Sequence, residues 1–236
     1  MRAIEPSQIL CFLGLLAAGM VASMGLLALA CVLWPAAGPG GDWSWVMPVI
    51  FVVAFIGCMV AVFRLWWRWR PLPLGVIEPG SAGEFTYHVY ILFYLIVFYP
   101  VMRCQLLPVP LNRLMYLGLG ACMGPNSYTG GLILDPPLVS IGRDTLLGMG
   151  SLLVPHIIEG RRLEHHRISI GDRVTVGANA TVMAGACIGN DAVVAMHSVV
   201  LAGTVIPAGE VWGGVPARRL RSPWGVGNRG GDRGIA

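Results

Sequence analysis

Charge is what this sequence has least of. Only 12% of its 236 residues are Asp, Glu, Lys or Arg, against 56% apolar, and mean hydropathy is +0.70. Soluble domains carry about a quarter charged residues, so the deficit excludes an ordinary soluble protein and predicts membrane association. No basic stripe is interleaved with exposed aromatics, which excludes a nucleic-acid-binding surface. The six cysteines (Cys11, Cys31, Cys58, Cys104, Cys122 and Cys187) include no C-x-x-C pair. They read as small buried apolar residues, forming neither a disulfide framework nor a zinc site. Glycine, by contrast, is abundant at 32 residues. It lacks the three-residue period of collagen, which leaves a turn-rich repeat.

The apolar residues concentrate in the first half. Ile9 to Trp34 carries no charge and is long enough to cross a bilayer at about 1.5 Å per residue. A secretory signal needs a basic n-region and a shorter core, and only Arg2 precedes this run. Val46 to Phe63 is a second uncharged run, with Pro48 in its first turn. Trp34, Trp43 and Trp45 bracket one end of this hairpin and Trp66, Trp67 and Trp69 the other, as interfacial anchoring predicts. The connection between the runs has Asp42 and no basic residue, whereas Arg64, Arg68 and Arg70 follow the second. The positive-inside rule places those arginines, and the chain after them, in the cytoplasm. A third run, Tyr87 to Met102, is short for a span, and residues 87–118 read as an interfacial helical hairpin rather than a third crossing. A crossing there would move the remainder of the chain to the other side. The expected organisation is a two-helix transmembrane region at 1–70, a linker and interfacial segment at 71–132, a repeat domain at 133–221 and a basic tail at 222–236.

The repeat is the strongest signal. Stepping by six from Ile170 gives Val176, Val182, Ile188, Val194, Val200, Ile206 and Trp212. Gly171, Gly177, Gly189 and Gly213 follow four of these anchors. Four places beyond successive anchors lie Val174, Ala180, Ala186, Ala192, Ser198, Thr204 and Glu210. Each hexad makes one short strand and a turn, and three close a triangular coil. The aliphatic points into a narrow prism that needs a small residue beside it, while glycine or a polar residue such as Asn179 takes the corner, where positive φ is required. Stacked coils bury a continuous core. Ile141-Gly142, Leu147-Gly148 and Leu153 keep the same step, but the interval from Leu153 to Ile170 is not a multiple of six. A loop from about Val154 to Arg167 therefore interrupts the prism. It holds His156, Glu159, His165 and His166, and loops on rigid scaffolds are where chemistry concentrates.

Three pieces, Ile170-Gly171-Asp172, the run from Val194 to Val200, and Gly213-Gly214-Val215-Pro216-Ala217-Arg218, carry a family resemblance. From about Ile133 to Arg221 the chain resembles the hexapeptide-repeat acyltransferases, in particular the branch of galactoside and maltose O-acetyltransferases. It also looks like membrane-anchored relatives that end some peptide synthetases. The resemblance implies an all-β left-handed parallel β-helix, here preceded by the α-helical transmembrane hairpin and interfacial segment. It implies a homotrimer that moves an acyl group from acyl-CoA, with acetyl-CoA as cosubstrate, to a hydroxyl or amine. It places the general base at His156 and an acceptor contact at Asp135. The coenzyme-facing positions fall on Ala178, Met196, Leu201, Ala202, Arg218 and Arg221. The run Ala195-Met196-His197-Ser198 and the pair Leu201-Ala202 depart from the family pattern and crowd the coenzyme groove, while Arg218 and Arg221 remain suited to phosphates.

The residues themselves support His156 through chemistry: acyl transfer from a thioester needs a base titrating near neutrality, and imidazole does so. Glu159 is the candidate to orient it, with His165 and His166 lining the acceptor. The expected protein is an acyltransferase on the cytoplasmic face of a bacterial inner membrane, touching lipid and taking a small-molecule or lipid-linked sugar, alcohol or amine, with no metal and no nucleic acid. Two other classes compete with it. One is a non-catalytic trimeric membrane scaffold, since fold does not fix function. The other is a gamma-carbonic-anhydrase-like zinc enzyme built from His156 with His165 or His166, which needs ligands converging on a tetrahedron.

Overall fold

The computed structural model describes residues 3–33, 46–104 and 107–220, and the chain divides into two compact units. The first comprises residues 1–73 and 77–104, the second 74–76 and 105–236.

In the first unit, helices α1 (Pro6–Leu33) and α2 (Val46–Trp69) are both long and apolar enough to cross a membrane. Between α2 and the next helix lies a short strand, β1 (Gly75–Val76), which belongs to the second unit. Helix α3 (Ala82–Phe93) continues through a π-helical turn at Tyr94–Phe98 into α4 (Tyr99–Arg103). Pro100 has no N–H to close a normal helical bond there, which accounts for the wider turn. Together they make 22 residues, also long and apolar enough to cross. The helix starts five residues before the apolar run, because Ser81 caps it. The Ser81 hydroxyl accepts from the Glu84 amide at 3.1 Å while the Glu84 carboxylate accepts from the Gly80 amide at 2.6 Å. Phe12 packs edge-on against Phe93, and Phe63 meets Tyr90, Phe93 and Phe98.

The second unit is a parallel β-helix closed at one end by α5 (Val109–Gly118). Its first coil is β2 (Cys122–Met123), β3 (Tyr128–Thr129) and β4 (Leu132–Ile133), and its second is β5 (Val139–Ile141), β6 (Leu146–Leu147) and β7 (Leu152–Val154). A hairpin, β8 (His156–Glu159) and β9 (Arg162–His165), intervenes. The third coil is β10 (Ile168–Ile170), β11 (Thr175–Val176) and β12 (Thr181–Met183), and the fourth is β13 (Cys187–Ile188), β14 (Val193–Val194) and β15 (Val199–Val200). The last coil has β16 (Val205–Ile206) and β17 (Val211–Gly213), and β18 (Arg218–Leu220) turns back antiparallel on β17. The strands stack into three parallel faces, with Ile170 beside Ile188, Val176 beside Val194 and Val182 beside Val200.

The hexad logic is visible in burial. Val176, Val182, Val194 and Val200 are wholly enclosed, as are Ala180, Ala192 and Ser198 at the small positions. The glycine after an anchor serves a purpose different from the expected corner turn. A Cβ on Gly189 would lie 2.6 Å from the backbone nitrogen of Ala208 in the next coil, and one on Gly148 would lie 2.6 Å from that of Ala178. Close stacking of coils, not positive φ, selects glycine there. The left-handed corners fall elsewhere in the hexads, on polar residues such as Asp144, Arg173, Asn179, Asp191 and His197 and on other glycines, Gly150, Gly185, Gly203 and Gly209, as expected of the corners.

The β-helix starts earlier than the sequence predicts. The coil at Cys122–Ile133 lies within the expected linker, and it is hidden because Thr129 occupies an interior position and Ile133 follows it by four residues. Buried Thr129 is satisfied locally through Gly131. Helix α5, expected as half of an interfacial hairpin, caps this coil instead. Arg113 donates to the Gly124 carbonyl at 3.1 Å, and the Tyr116 hydroxyl accepts from the Ile133 amide at 3.0 Å. Burial raises the Tyr116 pKa, keeping the phenol neutral. The cysteines also need correction. Cys31, Cys104, Cys122 and Cys187 are exposed, and in the coils the residue after Cys122 or Cys187 is the one that points inward. Arg221 and the tail lie outside the described residues, as do Trp34, Trp43, Trp45 and Asp42.

An enlarged side chain inside the prism is the direct check of this packing. Ala192→Leu should lower stability by about 1–3 kcal/mol, while Ala208→Leu on the exposed side should stay within about 0.5 kcal/mol, read by thermal denaturation of the detergent-solubilised protein.

Candidate active site

Ile141 stacks on Ile170, 29 positions later, whereas a complete coil takes 18, as from Ile170 to Ile188. The eleven extra residues accommodate the hairpin β8–β9, inserted where the chain turns from the face holding β7 to the face holding β10. The expected irregular loop is thus an ordered antiparallel ribbon. Gly160 at its tip has φ +59, the His166 amide closes its base on the Pro155 carbonyl at 2.8 Å, and β1 adds a third strand. His165 is paired with His156 on one side and with Gly75 on the other.

The same corner, one coil earlier, holds Asp135. It follows β4, sits in the left-handed region at φ +47, and precedes the 3-10 turn Pro136–Leu138. Coil stacking therefore brings together two residues 21 apart in sequence. His156 Nδ1 lies 2.5 Å from Asp135 Oδ2. Asp135 is 4% exposed at its side chain and His156 18%. An ionised carboxylate only accepts, so Nδ1–H donates and Nε2 is left as the basic nitrogen. Burial alone would lower the His156 pKa, but the hydrogen bond and charge of Asp135 outweigh it and hold the value above that of an ordinary histidine. Chemically, such a pair can supply a base with an orienting carboxylate, the two-part logic that activates hydroxyl nucleophiles elsewhere.

The other expected site residues disperse. Glu159 is exposed beside the hairpin tip, three places along the strand from His156 and hence on the opposite face. The carboxylate that meets the imidazole is Asp135. His165 is fully enclosed, its ring 6.5 Å from that of His156, so it backs that imidazole and presents no open surface. His166 Nε2 pairs with Glu164 at 2.9 Å, and Glu164 also takes Arg162. The His166 hydrogen bond is the first cause holding the Glu164 pKa below the usual carboxylate value. Among the described residues no group of three His, Cys, Asp or Glu side chains is placed to hold a metal within one chain.

The positions expected to face the coenzyme occupy two corners and the end of the coil stack. Ala178 and exposed Met196 lie on adjacent coils, where the His197 amide donates to the Ala178 carbonyl at 2.9 Å. Leu201 and Ala202 lie at the hairpin's corner, two coils beyond it, and both are exposed. Arg218 is exposed at the start of β18. The separate sequence pieces around Ser198 and Gly213 meet in space. The Ser198 hydroxyl accepts from the Gly214 amide at 3.1 Å, and Val199 exchanges backbone bonds with Gly214 and Ala217 around the cis Val215–Pro216 bond.

The raised His156 pKa fixes the sign of a stability effect. The charged pair contributes fully below the unfolded pKa of about 6.5, and the contribution is lost as pH rises through the folded value. Asp135→Asn should therefore destabilise most in acid, with the gap to wild type narrowing as pH rises, as read by melting temperatures between pH 5 and 9.

Comparison with known proteins bears on the same region. Residues 167–202 match the family model described as bacterial transferase hexapeptide (six repeats). No curated protein matches the chain. Among solved structures, a hexapeptide-repeat acetyltransferase from Vibrio cholerae complexed with acetyl coenzyme A is 25% identical, covering 52% of this chain and 84% of that one with a TM-score of 0.42. A maltose O-acetyltransferase from Clostridium difficile is 16% identical over 52% and 82% of the two chains, TM-score 0.40. A galactoside acetyltransferase in complex with coenzyme A is 22% identical over 47% and 68%, TM-score 0.38. The coils from β10 to β15 thus match the bacterial transferase hexapeptide repeat, and the fold they build is a hexapeptide-repeat β-helix.

Proposed function

We propose that the protein is a membrane-anchored acyltransferase that moves an acyl group, acetyl first among them, from coenzyme A to a hydroxyl or amine. The observation that carries this reading is the Asp135–His156 pair at the corner where the hairpin leaves a hexapeptide-repeat prism. His156 Nε2 takes the proton of the acceptor as it attacks the thioester carbonyl. Asp135 holds the ring in the required tautomer and balances the imidazolium that forms. The proton then passes to the departing thiolate, which leaves as the coenzyme thiol. Arg218 and Arg221 are assigned to the coenzyme phosphates, and the working unit is a homotrimer.

Chain connectivity supports a β-helix on the side of Arg64, Arg68 and Arg70. The chain leaves α2 at Trp69 and joins the β-helix unit at Leu74, and β1 pairs with β9 inside that unit. Six residues reach about 20 Å, short of a hydrocarbon core of about 30 Å. We read α3–α4 as interfacial rather than as a third crossing, although its 22 residues are long and apolar enough to cross. The positive-inside rule makes the shared side cytoplasmic, where acyl-CoA is found, and a membrane-resident or lipid-linked acceptor follows from the anchoring.

Two measurements test the reading. In detergent, acetyl-CoA with a panel of sugar and amine acceptors should release free thiol, and His156→Ala should lower the rate by about 10² to 10⁴ while coenzyme binding is kept. No turnover and no coenzyme binding by either protein would sink the enzymatic reading. For orientation, a variant keeping Cys187 as its sole cysteine should react with a membrane-impermeant maleimide only after permeabilisation. Labelling in intact cells would place the β-helix outside.

A further inference from the structure

The last turns of α2 carry a feature that acyl transfer does not use. Ala61, Arg64, Leu65 and Arg68 fall at i, i+3, i+4 and i+7, which is one face of a helix. With Trp67 they line a groove of about 370 Å³, inside the range of small-ligand sites, about 300–1,000 Å³. The described lining holds two guanidinium groups and no carboxylate. The indole N–H of Trp67 is buried and meets no acceptor among the described residues. Indole is a donor only, so a buried one is satisfied by an acceptor brought from outside. Guanidinium pairs and an indole donor together match a phosphate, whose oxygens accept several charge-assisted bonds at once.

The position decides the source of that phosphate. The groove lies at the arginine-bearing end of a helix apolar enough to span a membrane, the level at which lipid headgroups sit. Its remaining walls, Ala61 and the 70%-exposed Leu65, are apolar and suit the glycerol and upper acyl portions of a lipid rather than a free ion. We propose that the Arg64–Trp67–Arg68 groove binds the headgroup phosphate of an anionic membrane lipid. This rests on the membrane-spanning reading of α2 and is independent of the chemistry at His156.

The test is lipid retention by the full chain, purified in mild detergent with phosphatidylglycerol or phosphatidylcholine and read by native mass spectrometry. Wild type should retain phosphatidylglycerol over phosphatidylcholine, and millimolar inorganic phosphate should not displace it. The double variant Arg64→Gln, Arg68→Gln should retain about ten-fold less. Trp67→Phe, which keeps the ring and removes only the N–H, should retain less than wild type, and Arg103→Gln should match wild type. Equal retention by wild type and both groove variants would overturn the proposal, as would equal retention of the two lipids. Displacement by inorganic phosphate would overturn the lipid as its source. Failure of the membrane reading shows separately, as release of the protein from membranes by alkaline carbonate.

Discussion

Everything in the β-helix depends on one constraint, the close stacking of an 18-residue coil on the next. Adjacent parallel strands lie about 4.8 Å apart, so each coil must present nearly the same outline as its neighbours. That requirement keeps Ala180, Ala192 and Ser198 small and makes Gly148 and Gly189 necessary beside the backbone of the next coil. It also turns sequence distance into spatial adjacency. Residues at one corner of successive coils touch, whatever their separation along the chain.

The candidate site is a consequence of that adjacency. Asp135 and the hairpin occupy the same corner on consecutive coils, so the carboxylate reaches His156 without a dedicated loop. The pair is held from both sides. Asp135 keeps a left-handed backbone fixed by the Pro136–Pro137 turn, and β8 is braced by β9 and then β1. A non-glycine residue in that region costs about 1–2 kcal/mol, less for Asp, and such residues persist where the surroundings over-determine them. Glu164, between Arg162 and His166, fixes the outer part of the same ribbon.

Most of the prism was legible because aliphatics recur every six residues from Ile141 onward, and buried anchors leave little choice of residue. The first coil was not, since Thr129 stands at an interior position and its hydroxyl is satisfied by a backbone neighbour that sequence does not reveal. The hairpin breaks the six-residue period and so reads as a loop, although Ile157-Ile158 and Leu163 on either side of Gly160 carry a strand-turn-strand signal. Ser81 and Glu84 likewise formed a visible capping box. Resemblance and chemistry both point to His156, but proximity in sequence points to Glu159 as its partner. An offset of three along a strand points to the other face, and only the coil register could bring Asp135 instead. The exposed cysteines follow from the same alternation: Cys122 and Cys187 precede the inward anchors Met123 and Ile188.

The central claim is that Asp135 and His156 act as one catalytic unit assembled by coil stacking. A double-mutant cycle on kcat/KM with acetyl-CoA and a responsive acceptor tests it most directly, using Asp135→Asn, His156→Ala and the combination. If the pair is a unit, Asp135→Asn lowers the rate in wild type and has no further effect once His156 is gone. Losses that simply add would show that the two residues act separately, and the corner would hold a contact without being the catalytic centre.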